Sequence, residues 1–519
     1  MLAAPADDAV DPLVVETASG AVRGFELDGL RHWRSVPYAA PPVGERRFRS
    51  PEPPVPWTGV LETTAFGHAA PQHENKAITL PEGITQSEDC LTLNVIVGRD
   101  SRAPRPVMVW IHGGAYVAGS SAQPLFDGSA LVQHGDVVFV SLNYRLGALG
   151  FLDFSSFATA DEPFDTNVGL RDILAALSWV QRNIAGFGGD AGNVTLFGES
   201  AGAGCVTTLL TSPAASGLFH RAIAESSPAT SVYSAHRAAT VANRFLQLAG
   251  VQPADAAELR RRPAAELSQA AFDLVNAVAA ESPGTLAIAP VVDGDLVPVH
   301  PIDAFEAGTQ LPVPLIIGTN HDEASLFRLM KSPLMPITAQ SVHAMFAEIA
   351  AERPDLAGAE AQIESAYPGF PHHRTPAEVS RDAGFRMPSI WLATAHSRVA
   401  PTRMYRFDHS PPMLTVLGIG ATHGAEIAYV FGTLNLARKD PSFDLGGLAE
   451  ARRVSAALQR RWLAFATDGD PRGVDGAPDW PVYYAVTRST LIVDHGERMA
   501  DDPDAAIRAA WGDRVIGFD

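Results

Sequence analysis

Short apolar runs that stop abruptly at glycine or polar residues constrain the fold of this chain more than any other feature of its sequence. They occupy residues 107–111, 137–142 and 194–197. Runs of this length without polar alternation are typical of strands in a parallel sheet that is covered on both faces. Between the last two runs, residues 168–184 place apolar side chains at spacings of three and four, which predicts a helix. This succession predicts a right-handed crossover, and therefore an α/β fold with a large, mostly parallel central sheet and helices on both faces.

The rest of the chain adds shorter pieces to this plan. Residues 13–16 and 20–25 favour short strands separated by turns. Residues from about 235 to 400 are rich in Ala, Glu and Arg and hold one buried-strand pattern, 315–318, which predicts mainly helical insertions. Because no internal repeat or low-complexity linker marks a boundary, we predict a single domain over residues 1–519.

Charge and composition exclude several classes of protein. With 58 acidic and 39 basic residues the formal net charge is −19, so nucleic-acid binding, which depends on clustered Lys and Arg, is not predicted. A hydrophobic content of 46% excludes a disordered chain. No apolar run approaches the roughly 18 residues that span a bilayer, and no leader is visible at the N-terminus. We expect a cytoplasmic protein without a membrane span, and its oligomeric state stays open.

The strongest local motif is Gly198-Glu199-Ser200-Ala201-Gly202, which directly follows the apolar run 194–197. A sharp turn from strand to helix would lift the hydroxyl of Ser200 clear of the backbone, and the flanking glycines allow close approach of neighbouring chain. The alternative interpretation is a simple turn serine. A helix beginning after Ser200 would direct its unpaired N–H groups toward the site.

A nucleophilic serine also needs donors for the oxyanion that its attack creates. The run 107–111 ends in His112-Gly113-Gly114-Ala115, where small residues can expose backbone N–H groups. We predict a three-donor oxyanion hole from the N–H groups of Gly114, Ala115 and Ala201. Taken alone, the glycine pair is equally compatible with an ordinary tight turn.

With these motifs, the sequence resembles the type B carboxylesterases of the α/β-hydrolase fold, a family that includes the cholinesterases. The resemblance extends over nearly the whole chain and rests on ordered matches, at residues 36–39, 87–95, 167–172, 183–202 and 480–481. It implies a large central sheet with helices on both faces and an active site at the bottom of a gorge.

The resemblance also implies the partners of Ser200. The family glutamate matches Glu323 in the stretch Gly-Thr-Asn-His-Asp-Glu-Ala at residues 318–324, although composition alone does not separate it from Asp322. Ala324 replaces the usual glycine. The family histidine matches His423, whose neutral imidazole can accept the serine proton and return it. Glu323 would hold the correct tautomer of that imidazole.

Several other polar residues either match positions that support the triad in the family or have no predicted catalytic role. Glu199 lies next to the nucleophile, and Ser226 matches a position that in the family helps to orient the acid and base. For each, a purely structural hydrogen bond is equally compatible. Glu426 is interpreted as a structural carboxylate. No general-base role is predicted for His112, His321 or His409.

The chain departs from many relatives at its cysteines. The resemblance pairs the residue matching Cys90 with a cysteine about twenty positions earlier, but residues 66–72 contain none. Cys90 is therefore predicted to be a free, buried thiol, and Cys205 is predicted to be a packing residue. Both predictions fit a reducing compartment.

These expectations combine into a serine carboxylesterase that acts through an acyl-enzyme on a small ester substrate and water, without metal or organic cofactor. One alternative is a carbamate or amide hydrolase with the same triad. The other, from a different class, is a non-catalytic binding or adhesion protein, which the presence of Ser200, Glu323 and His423 disfavours.

Overall fold

Alternating strands and helices run through the computed structural model, which describes residues 11–74, 78–99, 104–372, 374–434, 436, 440–473 and 476–518. The strands are β1 (Val14–Thr17), β2 (Gly20–Arg23), β3 (Phe25–Leu27), β4 (Leu30–Pro37), β5 (Val60–Glu62), β6 (Thr92–Gly98), β7 (Arg105–Ile111), β8 (Val138–Leu142), β9 (Gly189–Glu199), β10 (Arg221–Glu225), β11 (Leu315–Asn320), β12 (Thr402–Phe407), β13 (Ser489–Val493) and β14 (Glu497–Asp501). The helices are α1 (Ser129–Gly135), α2 (Val168–Asn183), α3 (Ala201–Leu209), α4 (Ala235–Leu248), α5 (Ala264–Glu281), α6 (Pro301–Ala307), α7 (Ser325–Met330), α8 (Ala339–Glu352), α9 (Ala359–Glu364), α10 (Thr375–Arg381), α11 (Met387–His396), α12 (Pro412–Val416), α13 (Ile427–Val430), α14 (Leu448–Asp468) and α15 (Ala505–Trp511).

An 11-stranded sheet organises the molecule, in the order β14-β13-β12-β11-β10-β9-β7-β8-β6-β4-β3. Neighbouring strands from β13 to β8 in this order are parallel, whereas the pairings at both edges are antiparallel. The predicted large, mostly parallel sheet is confirmed. The predicted helix is α2, and it carries the chain from β8 past β7 to β9.

Side chains of the central strands alternate between two separate cores. On β7, Val107 and Val109 pack into the core that also receives Ile173 of α2. Met108 and Trp110, between them, pack into the core on the other face with Trp462 of α14. Each of these strands is therefore buried on both faces. This burial explains why its sequence is a continuous apolar run without alternating polar residues.

Strand predictions near the N-terminus need one correction. The piece predicted at residues 20–25 is two strands, β2 in a small sheet with β1 and β5, and β3 at the edge of the large sheet. Gly24 separates them, and a Cβ there would lie 2.3 Å from the carbonyl oxygen of His32. Close approach of β4 therefore diverts the chain from one sheet to the other.

Between residues 235 and 400, the described chain contains helices α4 to α11 and the strand β11. A π-helical turn, Asp382–Arg386, joins α10 to α11. Among the described residues, no helix is both long enough and apolar enough to cross a membrane.

Candidate active site

Ser200 occupies the sharp turn between β9 and α3. Its φ of 56° and ψ of −126° form a conformation that residues with a side chain rarely adopt. The backbone N–H of Ser200 donates to the carbonyl oxygen of Glu225 at the end of β10, at 2.9 Å. A Cβ at Gly198 would lie 2.7 Å from the carbonyl oxygen of Ile111, so only glycine allows this approach to β7. The turn holds the serine at the N-terminus of α3, at the carboxyl edge of the sheet.

A chain of hydrogen bonds joins the three residues that the sequence singled out. Ser200 Oγ lies 2.8 Å from His423 Nε2, and His423 Nδ1 lies 2.6 Å from Glu323 Oε2. Glu323 is fully buried. Residues separated by 223 and 100 positions in the chain thus meet in the order serine, imidazole and carboxylate.

Glu323 is held from its other oxygen. Ser226 Oγ donates to Glu323 Oε1 at 2.6 Å, and the backbone N–H of Asn320 donates to the same oxygen at 2.8 Å. The side chain of Asn320 also donates to Glu426, which lies behind the acid. Asp322 faces elsewhere, because it pairs with His321 at 3.1 Å and accepts from the backbone N–H of Ala421. The fold therefore directs Glu323 toward the histidine and Asp322 away from it.

Glu199 adds a second carboxylate beside the imidazole. Its Oε1 lies 3.2 Å from His423 Nε2, and the side chain is 7% exposed. Burial raises the pKa of Glu199 to about 7, with Glu323 adding to the rise and His423 opposing it. Burial by itself would lower the pKa of His423, but Glu199 and Glu323 outweigh burial and raise that pKa to about 9. The surroundings therefore favour the imidazolium that forms when a serine loses its proton.

The segment after β7 has a strained backbone beside Ser200. Gly114, Ala115 and Tyr116 have φ values of 120°, 53° and 62°. Within the described chain, the N–H groups of Gly114 and Ala115 have no hydrogen-bond acceptor. The N–H of Ala201 is the first of α3 and so lacks a partner within the helix. These are the three donors that the sequence predicted, and they lie at the ends of two adjacent strands, β7 and β9.

Two cavities adjoin the residues of this site. One, of about 830 Å³ with the open solvent it includes, is lined by Ser200, Ala115 and Ala201 together with mostly apolar side chains, including Phe327, Leu334, Met335, Met345, Ile349 and Phe385. The other, of about 2000 Å³ with the open solvent it includes, is lined by Gly114, Glu199 and His423 among others. Space for a substrate therefore lies beside both Ser200 and His423.

Sequence reasoning missed the aromatic side chains that hold His423. The ring of Phe385 lies 4.5 Å from the imidazole between centroids, and the ring of Phe327 lies 5.4 Å away. Phe385 belongs to the π-helical turn, and no local motif in the sequence marks it.

His112 lies under the strained segment, where its ring stacks on Tyr144 and burial lowers its pKa to about 4.

A sequence profile described as the carboxylesterase family matches residues 11–510. The chain belongs to the carboxylesterase family. It is an enzyme, a serine hydrolase of the α/β-hydrolase fold that hydrolyses carboxylic esters, and the resemblance noted in the sequence is confirmed.

Two relatives illustrate how far the similarity extends. The chain is 38% identical over 496 residues to the para-nitrobenzyl esterase of Bacillus subtilis (strain 168), covering 95% of this chain and 97% of that protein. It is 32% identical over 495 residues to the phenmedipham hydrolase of Pseudarthrobacter oxydans, covering 94% and 97%.

Solved structures agree with the sequence comparison. A PNB esterase is superposed with a TM-score of 0.85 at 36% identity, covering 97% of this chain and all of that one. A carboxylesterase of Geobacillus stearothermophilus gives 0.83 at 36% identity, covering 96% of this chain and all of that one. The carboxylesterase therefore shares its fold with these enzymes over nearly its whole length.

Proposed function

We propose that Ser200 is the nucleophile of this carboxylesterase, His423 its general base and acid, and Glu323 the residue that orients the histidine. The observation that carries the proposal is the continuous hydrogen-bond chain from Ser200 Oγ through His423 to Glu323. Ser200 attacks the ester carbonyl while His423 takes its proton, and the protonated histidine then donates to the leaving alcohol. Water activated by His423 releases the acyl group and restores the serine.

The oxyanion of each tetrahedral intermediate is stabilised by the N–H groups of Gly114, Ala115 and Ala201. Two observations support this assignment. Among the described residues no other acceptor binds these N–H groups, and the groups lie beside Ser200. The positive φ values at Gly114 and Ala115 keep the donors in place before substrate arrives, so no reorganisation is needed during reaction. Glu199 stabilises the imidazolium, and Ser226 positions Glu323.

For the substrate, we propose esters with at least one apolar group. The cavity beside Ser200 is lined mainly by apolar side chains, which would remove such a group from water. The para-nitrobenzyl esterase among the relatives supports aromatic alcohols as leaving groups. The relatives favour ester hydrolysis over the carbamate, amide and non-catalytic alternatives.

The decisive experiment replaces the nucleophile. Ser200→Ala should lower kcat/KM for para-nitrophenyl esters by about a thousandfold or more, because only binding and the oxyanion donors remain. The circular dichroism spectrum and Tm should stay close to those of the unchanged enzyme. Cys205→Ala on the same helix serves as the control and should retain activity. A Ser200→Ala protein that keeps a tenth of the activity would exclude Ser200 as the nucleophile.

Two broader proposals complete the assignment. We propose a single catalytic domain, because the large sheet takes strands from residue 25 to residue 501.

We also propose a cytoplasmic enzyme, which the two free, buried cysteines Cys90 and Cys205 support. Fractionation of the source cells with an activity assay tests the location, and activity recovered outside the cytoplasm would contradict it.

A further inference from the structure

His409 is a buried histidine with no use in ester hydrolysis. It follows β12, its backbone N–H donates to the carbonyl oxygen of Val493 at 3.0 Å, and the residue is 2% exposed. Neither ring nitrogen has a hydrogen-bond partner in the part of the chain that the structure describes. Leaving buried polar atoms unpaired is unfavourable, so a histidine in this state calls for a partner that the described residues do not supply.

The turn between β13 and β14 brings two more ligand-type side chains to His409. One ligand atom each of His409, Asp494 and His495 lie within 4.8 Å of one another. His495 Nε2 and Asp494 Oδ1 are 3.7 Å apart. The side chains of His495 and Asp494 are 70% and 43% exposed, so both can rotate without disturbing the core.

A carboxylate on a third element orients His495. Its Nδ1 lies 2.9 Å from Oε1 of Glu450, in the first turn of α14. An Nδ1–H that donates to Glu450 leaves the lone pair on Nε2, the nitrogen on the side of Asp494. Histidine ligands of metal ions usually donate their second ring N–H to a carboxylate in this way.

We propose that His409, Asp494 and His495 bind one divalent transition-metal ion, with Zn²⁺ the best match and solvent completing the coordination. Two imidazoles and a carboxylate are ligands that Zn²⁺ accepts, whereas Mg²⁺ and Ca²⁺ prefer oxygen alone. Ligand atoms around tetrahedral Zn²⁺ lie roughly 3.4 Å apart, given bonds of about 2.0–2.1 Å. The ligand atoms now lie within 4.8 Å of one another, so they need to approach by up to about 1.4 Å, and the two exposed side chains supply that movement.

A second cluster shows by contrast what distinguishes this site. His343, Glu360 and Glu364 also place ligand atoms near one another, but all three are partly or fully exposed. His343 Nδ1 already pairs with Glu360 Oε1 at 2.7 Å. Because it has a single imidazole and none of its three residues is buried, we do not propose this cluster as a site, and it provides a matched control.

The ion would tie together three parts of the molecule, namely the end of β12, the β13–β14 turn and, through Glu450, the start of α14. The ring of Tyr429 in α13 packs against His409 at 5.3 Å and Phe407 at 5.0 Å. The site is therefore expected to stabilise the fold near the segment that carries His423, and it takes no part in ester hydrolysis.

The test uses the full chain after treatment with a chelator. Zn²⁺ is titrated in competition with a chromophoric chelator, and we expect one saturable site per chain and a rise in Tm on binding. Mg²⁺ at millimolar concentration should not compete. His495→Asn should weaken Zn²⁺ binding at least tenfold, whereas the control His343→Asn should leave the affinity unchanged.

A second variant separates ligand from structural roles. His409→Leu should abolish the site, yet the metal-free variant should be no less stable than the metal-free parent, since among the described residues the His409 side chain has no hydrogen bond to lose. Co²⁺ added to the parent should give the visible absorption of a low-coordinate site with imidazole ligands, and this spectrum should be absent from His409→Leu. Absence of a saturable site, unchanged affinity in His495→Asn, or loss of affinity in His343→Asn alone would overturn the proposal.

Discussion

Two adjacent carboxylates, Asp322 and Glu323, follow β11, and the backbone sends them in different directions. Glu323 is fully buried and hydrogen-bonded to His423, whereas Asp322 pairs with the partly exposed His321. Glu323→Gln should therefore lower kcat/KM by about a hundredfold or more, because the amide does not stabilise the imidazolium. Asp322→Asn, the matched control, should stay within about threefold of the parent. Steady-state hydrolysis of one para-nitrophenyl ester by both variants decides the assignment, and the reverse ranking would transfer the acid role to Asp322.

In the proposed mechanism, Glu199 helps to set the pH at which His423 becomes a base. The pKa of His423 is raised to about 9 by Glu199 and Glu323 against the effect of burial, so neutral imidazole becomes available as pH rises. Glu199→Gln removes a negative charge at 3.2 Å, which lowers the pKa of His423. The acid limb of the kcat/KM profile should shift to lower pH by roughly half a unit or more.

The comparison for that profile is Asp322→Asn, whose carboxylate does not contact His423. Its acid limb should coincide with that of the parent enzyme. A profile for Glu199→Gln that keeps its midpoint while losing amplitude would show that Glu199 acts on substrate binding or on structure instead.

At the scale of elements, the approach of α3 to β7 depends on glycine. A Cβ on Gly202 would lie 2.1 Å from the carbonyl oxygen of Ile111. Gly202→Ala should therefore push α3 away from the sheet and lower the free energy of unfolding by about 2 kcal/mol or more. Gly496→Ala in the β13–β14 turn is the control, because nothing lies within 4 Å of a Cβ there. Urea unfolding of both variants measures the difference, and equal stability would mean that α3 packs less closely than described.

Behind the triad lies a buried group of glutamates that makes the stability of the whole molecule depend on pH. Burial raises the pKa of Glu426 to about 8, and burial with Glu426 and Glu199 nearby raises that of Glu225 well above its usual value. The native state keeps protons that the unfolded chain releases above about pH 4.5, so stability falls as pH rises. His423 acts in the same direction between about 6.5 and 9. We expect a lower Tm at pH 9 than at pH 6.

Glu225→Gln tests this origin of the pH dependence. The amide oxygen can still accept the hydrogen bond that Trp462 Nε1 donates to Glu225 at 2.7 Å, so packing is preserved. Removing one group with a raised pKa should shrink the loss of stability between pH 6 and pH 9 by at least about 1 kcal/mol. Calorimetry at the two pH values measures it. An undiminished loss would place the effect in other groups.

The elements that the sequence predicted best are those whose pattern lies within one continuous stretch of the chain. The run 107–111, the helix over 168–184 and the turn at Ser200 each carry their own pattern, and all three are present in the fold. Predictions were weaker where a segment takes its conformation from a distant neighbour. The piece at residues 20–25 divides between two sheets because β4 crowds Gly24.

By itself, the sequence determined the fold class, the family and the identity of the residues around Ser200, because local apolar patterns and an ordered series of motifs carry that information. Only the tertiary structure decided that Glu323 and not Asp322 reaches His423, that Phe385 packs on the imidazole, and that His409 meets Asp494 and His495. These contacts join side chains that are mostly far apart in the chain. Their distances depend on how the strands are ordered in the sheet, which short windows of sequence do not encode.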